Sequence, residues 1–267
     1  MDLGGQTNVD EATNVDEAMN VDEAMNVDEA MNVDEATNPA ASSNAVQIDV
    51  WADVVCPWCY LGKRRLEIAI AESAHPAEVS VTYHAYELDP KAAHSTGETV
   101  LAWLAQRYRT DLDSAREIAE RPAVMGRPDG VHIDVDKQLR ANSFDAHRLV
   151  ALGLAQGGPA LQAAVLERFY SAHFSEGKAI DDIETLQRLG AEAGLDGRRV
   201  SAILASDEFA DQVRADEAAA TDIGITGVPF FMANRRVALS GAHSPEVIGQ
   251  LIESATNDDH ESMSAGA

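Results

Sequence analysis

Apolar and polar residues alternate through Val46-Gln-Ile48-Asp-Val50-Trp51, which predicts a strand with one buried face. After Cys56-Pro57, apolar positions recur at Leu61, Leu66, Ile68, Ala69 and Ile70. That spacing predicts a helix from Trp58 to Ala74, ended by His75-Pro76. Alternation returns from Glu78 to Tyr86 and predicts a second strand. Two strands joined through one helix in about forty residues form a crossover unit, so they should be parallel. From Gly97 to about Thr221 the spacing is helical, with faces such as Leu101/Leu104/Tyr108, Leu149/Val150/Leu154 and Leu186/Leu189/Ala193. Gly157-Gly158-Pro159, Gly177 and Gly194 punctuate this block, and Val131–Val135 reads as a loop or a brief extended piece. Val228–Met232 and Arg236–Ser240 then flank the hairpin-sized turn Ala233-Asn234-Arg235. Ser244-Pro245-Glu246 opens a last helix whose face is Val247, Ile248, Leu251 and Ile252. The predicted order is β-α-β, a helical block, then β-β-α.

Charge changes this picture mainly at the ends. Of the net −25, eleven uncompensated acids lie in residues 1–45 and four in 253–267, so residues 46–252 carry only −10. An acidic body without a basic stripe argues against nucleic acid or an anionic membrane as partner. Residues 8–37 repeat Asn-Val-Asp-Glu-Ala-Thr/Met five times. A period of six matches neither a helical stripe nor a solenoid, and each unit offers too little apolar area to offset chain entropy. The reading is a disordered acidic tail over 1–45, with an interaction or solubility role as the alternative. Neither a signal peptide nor a membrane-spanning run is evident, so a cytoplasmic location is expected.

The candidate chemistry is Cys56-Pro57-Trp58-Cys59, placed where a strand ends and a helix begins. Two thiols three positions apart on a first helical turn can close a disulfide. Pro57 suits that turn, where its missing N–H is no loss. At the helix start Cys56 meets free N–H groups and the positive end of the helix dipole, and both favour thiolate over thiol. The two cysteines are too few for a disulfide scaffold, and the rival reading is half of a zinc site. No second cysteine pair or close histidine pair completes such a site, so no metal is expected. The second feature is Gly224-Ile-Thr-Gly-Val-Pro-Phe-Phe231. A proline at the start of a strand needs a reason, and a cis Val228–Pro229 bond facing the disulfide supplies one. The Val228 backbone could then pair with a passing substrate chain.

Val50-Trp-Ala-Asp-Val-Val-Cys-Pro-Trp-Cys-Tyr-Leu-Gly-Lys63 resembles the active-site signature of the DsbA family, in particular its cytosolic FrnE-like branch. Leu88-Asp89-Pro90, Asn142-Ser-Phe-Asp-Ala-His-Arg148 and Thr226-Gly-Val-Pro-Phe-Phe231 match it as well, and the resemblance spans about 46–253. It implies an α/β thioredoxin-like fold (46–95 and 222–255) with an inserted helical domain (96–221); beyond it, residues 256–267 are expected as a disordered tail. By position it implies that Cys56 is the exposed attacking thiol, that Cys59 resolves, and that Pro229 is the cis-proline. Pro57, Trp58 and Val228 would support them. Periplasmic oxidases of the family carry His at the place of Trp58. The expected couple is therefore less oxidising, between ~−270 mV for thioredoxin and ~−120 mV for DsbA. Implied partners are disulfide-containing proteins or peptides. No bound cofactor is expected, with glutathione or another thiol as a candidate co-substrate.

The alternative is a glutathione-dependent isomerase or transferase acting on a small aromatic molecule; such relatives generally place Ser at the nucleophile. A third reading is a holdase-like binding module. Among weaker candidates, Asp53 reads as a solvated or capping acid. Trp58 and Tyr60 fit a substrate rim or the core equally. Asn142 reads as a helix cap and His147 as a structural histidine. In the related kappa-class glutathione transferases this region helps to form the glutathione site.

Overall fold

A computed structural model describes residues 45–94 and 96–264, with side chains through residue 256; the acidic repeat lies outside the described residues. Four strands form one mixed sheet in the order β2-β1-β3-β4: β1 (Val46–Ala52), β2 (Val79–Ala85), β3 (Phe230–Ala233) and β4 (Val237–Ser240). β1 and β2 are parallel in register Val46↔Val79 to Ala52↔Ala85, as the crossover α1 (Pro57–Glu72) requires. β3 runs antiparallel to β1, pairing Val50 with Phe231, and β4 completes the hairpin. β3 starts at Phe230, two residues later than the alternation suggests, because Pro229 has no N–H for the ladder and follows a cis peptide.

Between β2 and β3 lie α2 (Val100–Tyr108), α3 (Leu112–Gly126), α4 (Phe144–Tyr170), α5 (Ile183–Glu192), α6 (Gly197–Leu204) and α7 (Ala210–Asp222). Thr99, Asp111, Asp182 and Asp196 cap α2, α3, α5 and α6 through side-chain oxygens. This confirms the α/β thioredoxin-like fold with a helical insertion. The Val131–Val135 stretch is a loop.

Helix α4 breaks sharply at Gly157 and at Gly158, whose φ of 68° lies in the left-handed region. A Cβ on Gly153 would approach the Gln162 Cα at 3.1 Å, so the two halves fold back on each other. The stretch Phe144–Ser175 is long and apolar enough to cross a membrane by composition, contrary to expectation. It is instead a bent core element burying Leu149, Val165, Leu166 and Phe169.

The insertion covers the free edge of the sheet. On β2 the Tyr83 N–H donates to Gln162 of α4, and Gln162 Nε2 donates back to the Tyr83 carbonyl at 2.7 Å. Two residues on, the Ala85 N–H donates to Asp216 of α7 at 3.0 Å. A parallel-sheet edge would otherwise leave these groups unpaired. Asp216 also holds His84 at 3.1 Å, and the other ring nitrogen of His84 meets Asp49 at 2.8 Å. The last helix, α8 (Pro245–Ser264), packs against α1 and the sheet. It passes residue 256, where a tail was expected, because nothing from Thr256 to Ser264 is Gly or Pro.

Candidate active site

The end of β1 and the start of α1 set the two thiols one helical turn apart. Cys56 is the N-cap of α1 and Pro57 its first residue. The N–H groups of Cys59 and Tyr60 both point to the Cys56 carbonyl, at 3.1 and 3.2 Å. Pro57 brings no N–H to this turn, and no side chain caps the terminus. Both cysteines are free thiols.

Cys56 is not exposed as expected. It is only 2 % accessible, and its route outward is a cavity of about 660 Å³. The cause is the insertion, because α2, α3 and residues 138–141 wall the space above the first turn of α1. Val55, Cys56, Pro57 and Trp58 form the cavity's α1 side, so Trp58 is buried in the core and also faces the cleft. Tyr60 belongs to the core alone. Its ring stacks on Tyr170 and Phe174 with centroids 5.0 and 5.8 Å apart, and burial with the neighbouring Glu167 charge pushes its hydroxyl up to about 12.

The expected partner loop is in place. The Val228–Pro229 peptide is cis, and the Val228 carbonyl lies 3.7 Å from Cys56 Sγ, within reach of a weak S–H···O bond. Gly62 makes this approach possible. A Cβ there would stand 2.8 Å from Pro229 Cγ and 3.1 Å from Phe231 Cζ.

Cys59 lies beneath, fully buried. Burial first, then the hydrogen bond and charge of Cys56, push its thiol well above the usual range. The Asp53 backbone works in the opposite direction, and the Asp53 charge adds to the rise.

Asp53 is the residue that sequence reasoning misjudged. It is wholly buried, with no solvated edge. Its carboxylate accepts from the N–H groups of Val55 at 3.2 Å and Leu88 at 2.7 Å, and meets His147 Nε2 at 3.3 Å. Its carbonyl accepts from the Cys56 N–H and the Tyr170 hydroxyl. Asp53 therefore joins three segments singled out in the sequence, 50–63, 88–90 and 142–148. The available clue was an acid placed between a buried strand and the cysteines, where solvent is scarce. His147 is buried and paired, as read. Asn142 is not the cap that the sequence suggested: Ser143 is the N-cap of α4, and Asn142 before it closes a local turn, its Oδ1 accepting from the Phe144 N–H at 3.0 Å while its Nδ2 donates to the Ala92 carbonyl.

Two further residues escaped sequence reasoning. His173, in the π-turn after α4, and Gln138, in the segment before it, both line the cavity. Burial pushes His173 down to about 4, so its ring is neutral at pH 7. Among the described residues, no group of three or more His, Cys, Asp or Glu is placed to hold a metal.

Comparison with known proteins agrees with this geometry. A family model, the DSBA-like thioredoxin domain, matches residues 47–253. The probable DsbA oxidoreductase SCO1869 of Streptomyces coelicolor superposes with a TM-score of 0.74 at 35 % identity, over 79 % of this chain and 89 % of that one. The uncharacterized protein YwbO of Bacillus subtilis is 27 % identical over 208 residues, covering 78 % of this chain and 96 % of its own. The cytosolic disulfide reductase DsbM of Pseudomonas aeruginosa, solved with GSH, shares the fold at 19 % identity and a TM-score of 0.51, over 81 % and 98 % of the two chains. The chain belongs to the DSBA-like thioredoxin domain family.

Proposed function

We propose that the protein is a thiol–disulfide oxidoreductase in which Cys56 attacks and Cys59 resolves. One observation carries this reading. Cys56 caps a helix N-terminus beside the Val228–Pro229 loop and faces a cavity, while Cys59 sits one turn further in and sealed. In reduction, the Cys56 thiolate attacks one sulfur of R–S–S–R′. A Cys56–S–S–R bond forms, and R′S⁻ leaves and takes up a proton. Cys59 loses its proton and attacks Cys56 Sγ, RS⁻ leaves, and the protein holds the two lost electrons' worth of oxidation as a Cys56–Cys59 disulfide. Run backwards, the same steps oxidise a dithiol substrate.

The main chain of Val228 would pair with the substrate backbone, and Pro57 and Trp58 would border the approach. Disulfide-bearing proteins, peptides or small thiols are the proposed partners. A cytoplasmic low-molecular-weight thiol such as glutathione would return the protein to its dithiol form. Burial first, then the hydrogen bond and charge of Cys56, oppose ionisation of Cys59; the Cys56 contributions are lost once Cys56 is tied up in the mixed disulfide, which eases the second step.

Trapping tests this assignment. A Cys59→Ser variant incubated with a disulfide substrate should accumulate a mixed disulfide at Cys56, seen by mass spectrometry and released by dithiothreitol. A Cys56→Ser variant that still turns over disulfides at the wild-type rate would overturn it.

A further inference from the structure

A second cleft, of about 210 Å³, lies between β2, α4 and α7, and none of its lining residues borders the cavity above Cys56. His84, Gln212 and Asp216 make part of its wall polar, and the exposed Ala155 and Gln212 stand at its edge. It has room for several waters. His147 of α4 borders it, and Nε2 of that ring meets the Asp53 carboxylate at 3.3 Å. An ionised carboxylate only accepts, so Nε2 carries the proton of the neutral ring and Nδ1 its lone pair. Nδ1 has no protein partner among the described residues and, unlike Nδ1 of His173, is not sealed off.

Resolution needs such an outlet. Cys59 is buried and borders neither cleft, yet it must lose a proton before it attacks. Once Cys56 is held in a mixed disulfide, burial and the Asp53 charge remain to oppose that loss. Asp53 also touches Cys59 through a backbone hydrogen bond. A proton gained by His147 offsets the Asp53 charge as the thiolate forms. The other charges around the ring are engaged elsewhere. Glu87, after β2, is pushed up to about 7 by burial although Arg214 of α7 bonds it at 2.6 Å, and Arg214 also meets Glu217. Across the cleft His84 is held between Asp49 and Asp216. On α4 itself Arg148 pairs with Asp145. Among the described residues, the ionic partner of Asp53 is His147 alone.

We propose that His147 is the proton outlet of the resolving thiol. This rests on the disulfide-exchange reading and adds to it a positioning residue that acts on Cys59 through Asp53. In the mixed disulfide Cys56–S–S–R, Cys59 gives up its proton to the Asp53–His147 pair and attacks Cys56 Sγ. The Cys56–Cys59 bond forms as the bond to R breaks, and RS⁻ leaves and takes a proton from solvent. The pair returns its gained proton from Nδ1 to water in the second cleft. Proton transfer therefore does not need the substrate cavity, which R occupies at that moment.

The two steps are read separately by giving the reduced full chain less than one equivalent of the aromatic disulfide dithiobis(nitrobenzoate), because each step releases one coloured thiolate. His147→Gln should leave the first release unchanged and slow the second by about a hundredfold. The wild-type second release should level off with rising pH. In His147→Gln it should instead climb about tenfold per pH unit, as solvent alone takes the proton. Glu87→Gln should keep the wild-type plateau. His147→Ala joins the space of the ring to the second cleft, so imidazole should restore the second release. Pyrazole, of the same shape but a far weaker base, should not. An unchanged second release in His147→Gln overturns the inference, as does a plateau lost with Glu87 rather than with His147. Equal slowing of both steps, or rescue by pyrazole as well as imidazole, marks a structural role and also overturns it. A wild-type chain that releases no second thiolate overturns the oxidoreductase reading itself.

Discussion

The space above Cys56 and the packing beneath Cys59 lie one helical turn apart and differ in nearly every physical respect. Above is an open, mainly apolar cavity lined in part by Gln138 and the neutral His173. Beneath is a buried network in which the Asp53 carboxylate meets Val55, Leu88 and His147. One helical turn thus gives two identical side chains different environments. The upper thiol is reachable and the lower one is held in its protonated form. This asymmetry suits a pair in which one thiol attacks and the other waits.

The largest effect that should break the comparison is loss of the upper thiol. Cys56→Ser is expected to lower disulfide turnover by about a thousandfold or more, as removal of a nucleophile does. Cys59→Ser should instead spare the first attack and stall at the mixed disulfide, which a single-turnover assay with mass detection separates. Next comes the ratio of reactivities. In the reduced native protein iodoacetamide should modify Cys56 at least about tenfold faster than Cys59, and unfolding in guanidinium should erase the difference.

Gly62→Ala sharpens the upper side. A Cβ at this site pushes Pro229 and Phe231 off α1, and overpacking of this kind costs about 1–3 kcal/mol. Chemical denaturation should show that loss, together with slower exchange, because the Val228 carbonyl is displaced from Cys56.

Asp53→Asn sharpens the lower side. It keeps an acceptor for Leu88 and removes the charge, so in a Cys56→Ser background Cys59 should ionise at lower pH than with Asp53 present. Thiolate absorbance against pH reads that shift directly.

The smallest effect lies at the sheet edge, away from both thiols. Burial works against the charged form of His84, but the bonds to Asp216 and Asp49 prevail and raise it to about 9. A raised base stabilises the fold fully below its unfolded value near ~6.5, and that contribution is lost as pH climbs through about 9. Wild-type stability should therefore decline across that window, and His84→Gln should flatten the decline.

Much of this architecture was legible in the chain because it depends on local spacing. Alternation marked β1 and β2, Ser244-Pro245 marked the start of α8, and the cysteines marked the end of β1. Pro229 announced its loop because a proline has few places in a strand. The hidden parts depend on distant packing. Nothing near Asp53 in sequence says that Leu88 and His147 close over it, 35 and 94 residues away. Cys56 was expected at the surface because its local motif cannot show that α2 and α3 wall it in. Gln138 and His173 carry no motif at all; only the cavity relates them. Gly62 lay within the recognised signature, but its reason, the close approach of Pro229, needed the folded partner loop.

The central claim is that Cys56 and Cys59 form a working dithiol couple. It is tested most directly by equilibrating the full chain across glutathione redox buffers and counting free thiols by alkylation and mass. The account predicts loss of both thiols in one cooperative transition, with no mixture of singly modified forms and a midpoint between ~−270 and ~−120 mV. Two thiols that remain free across the whole series, or that glutathionylate independently without forming a Cys56–Cys59 disulfide, would contradict it.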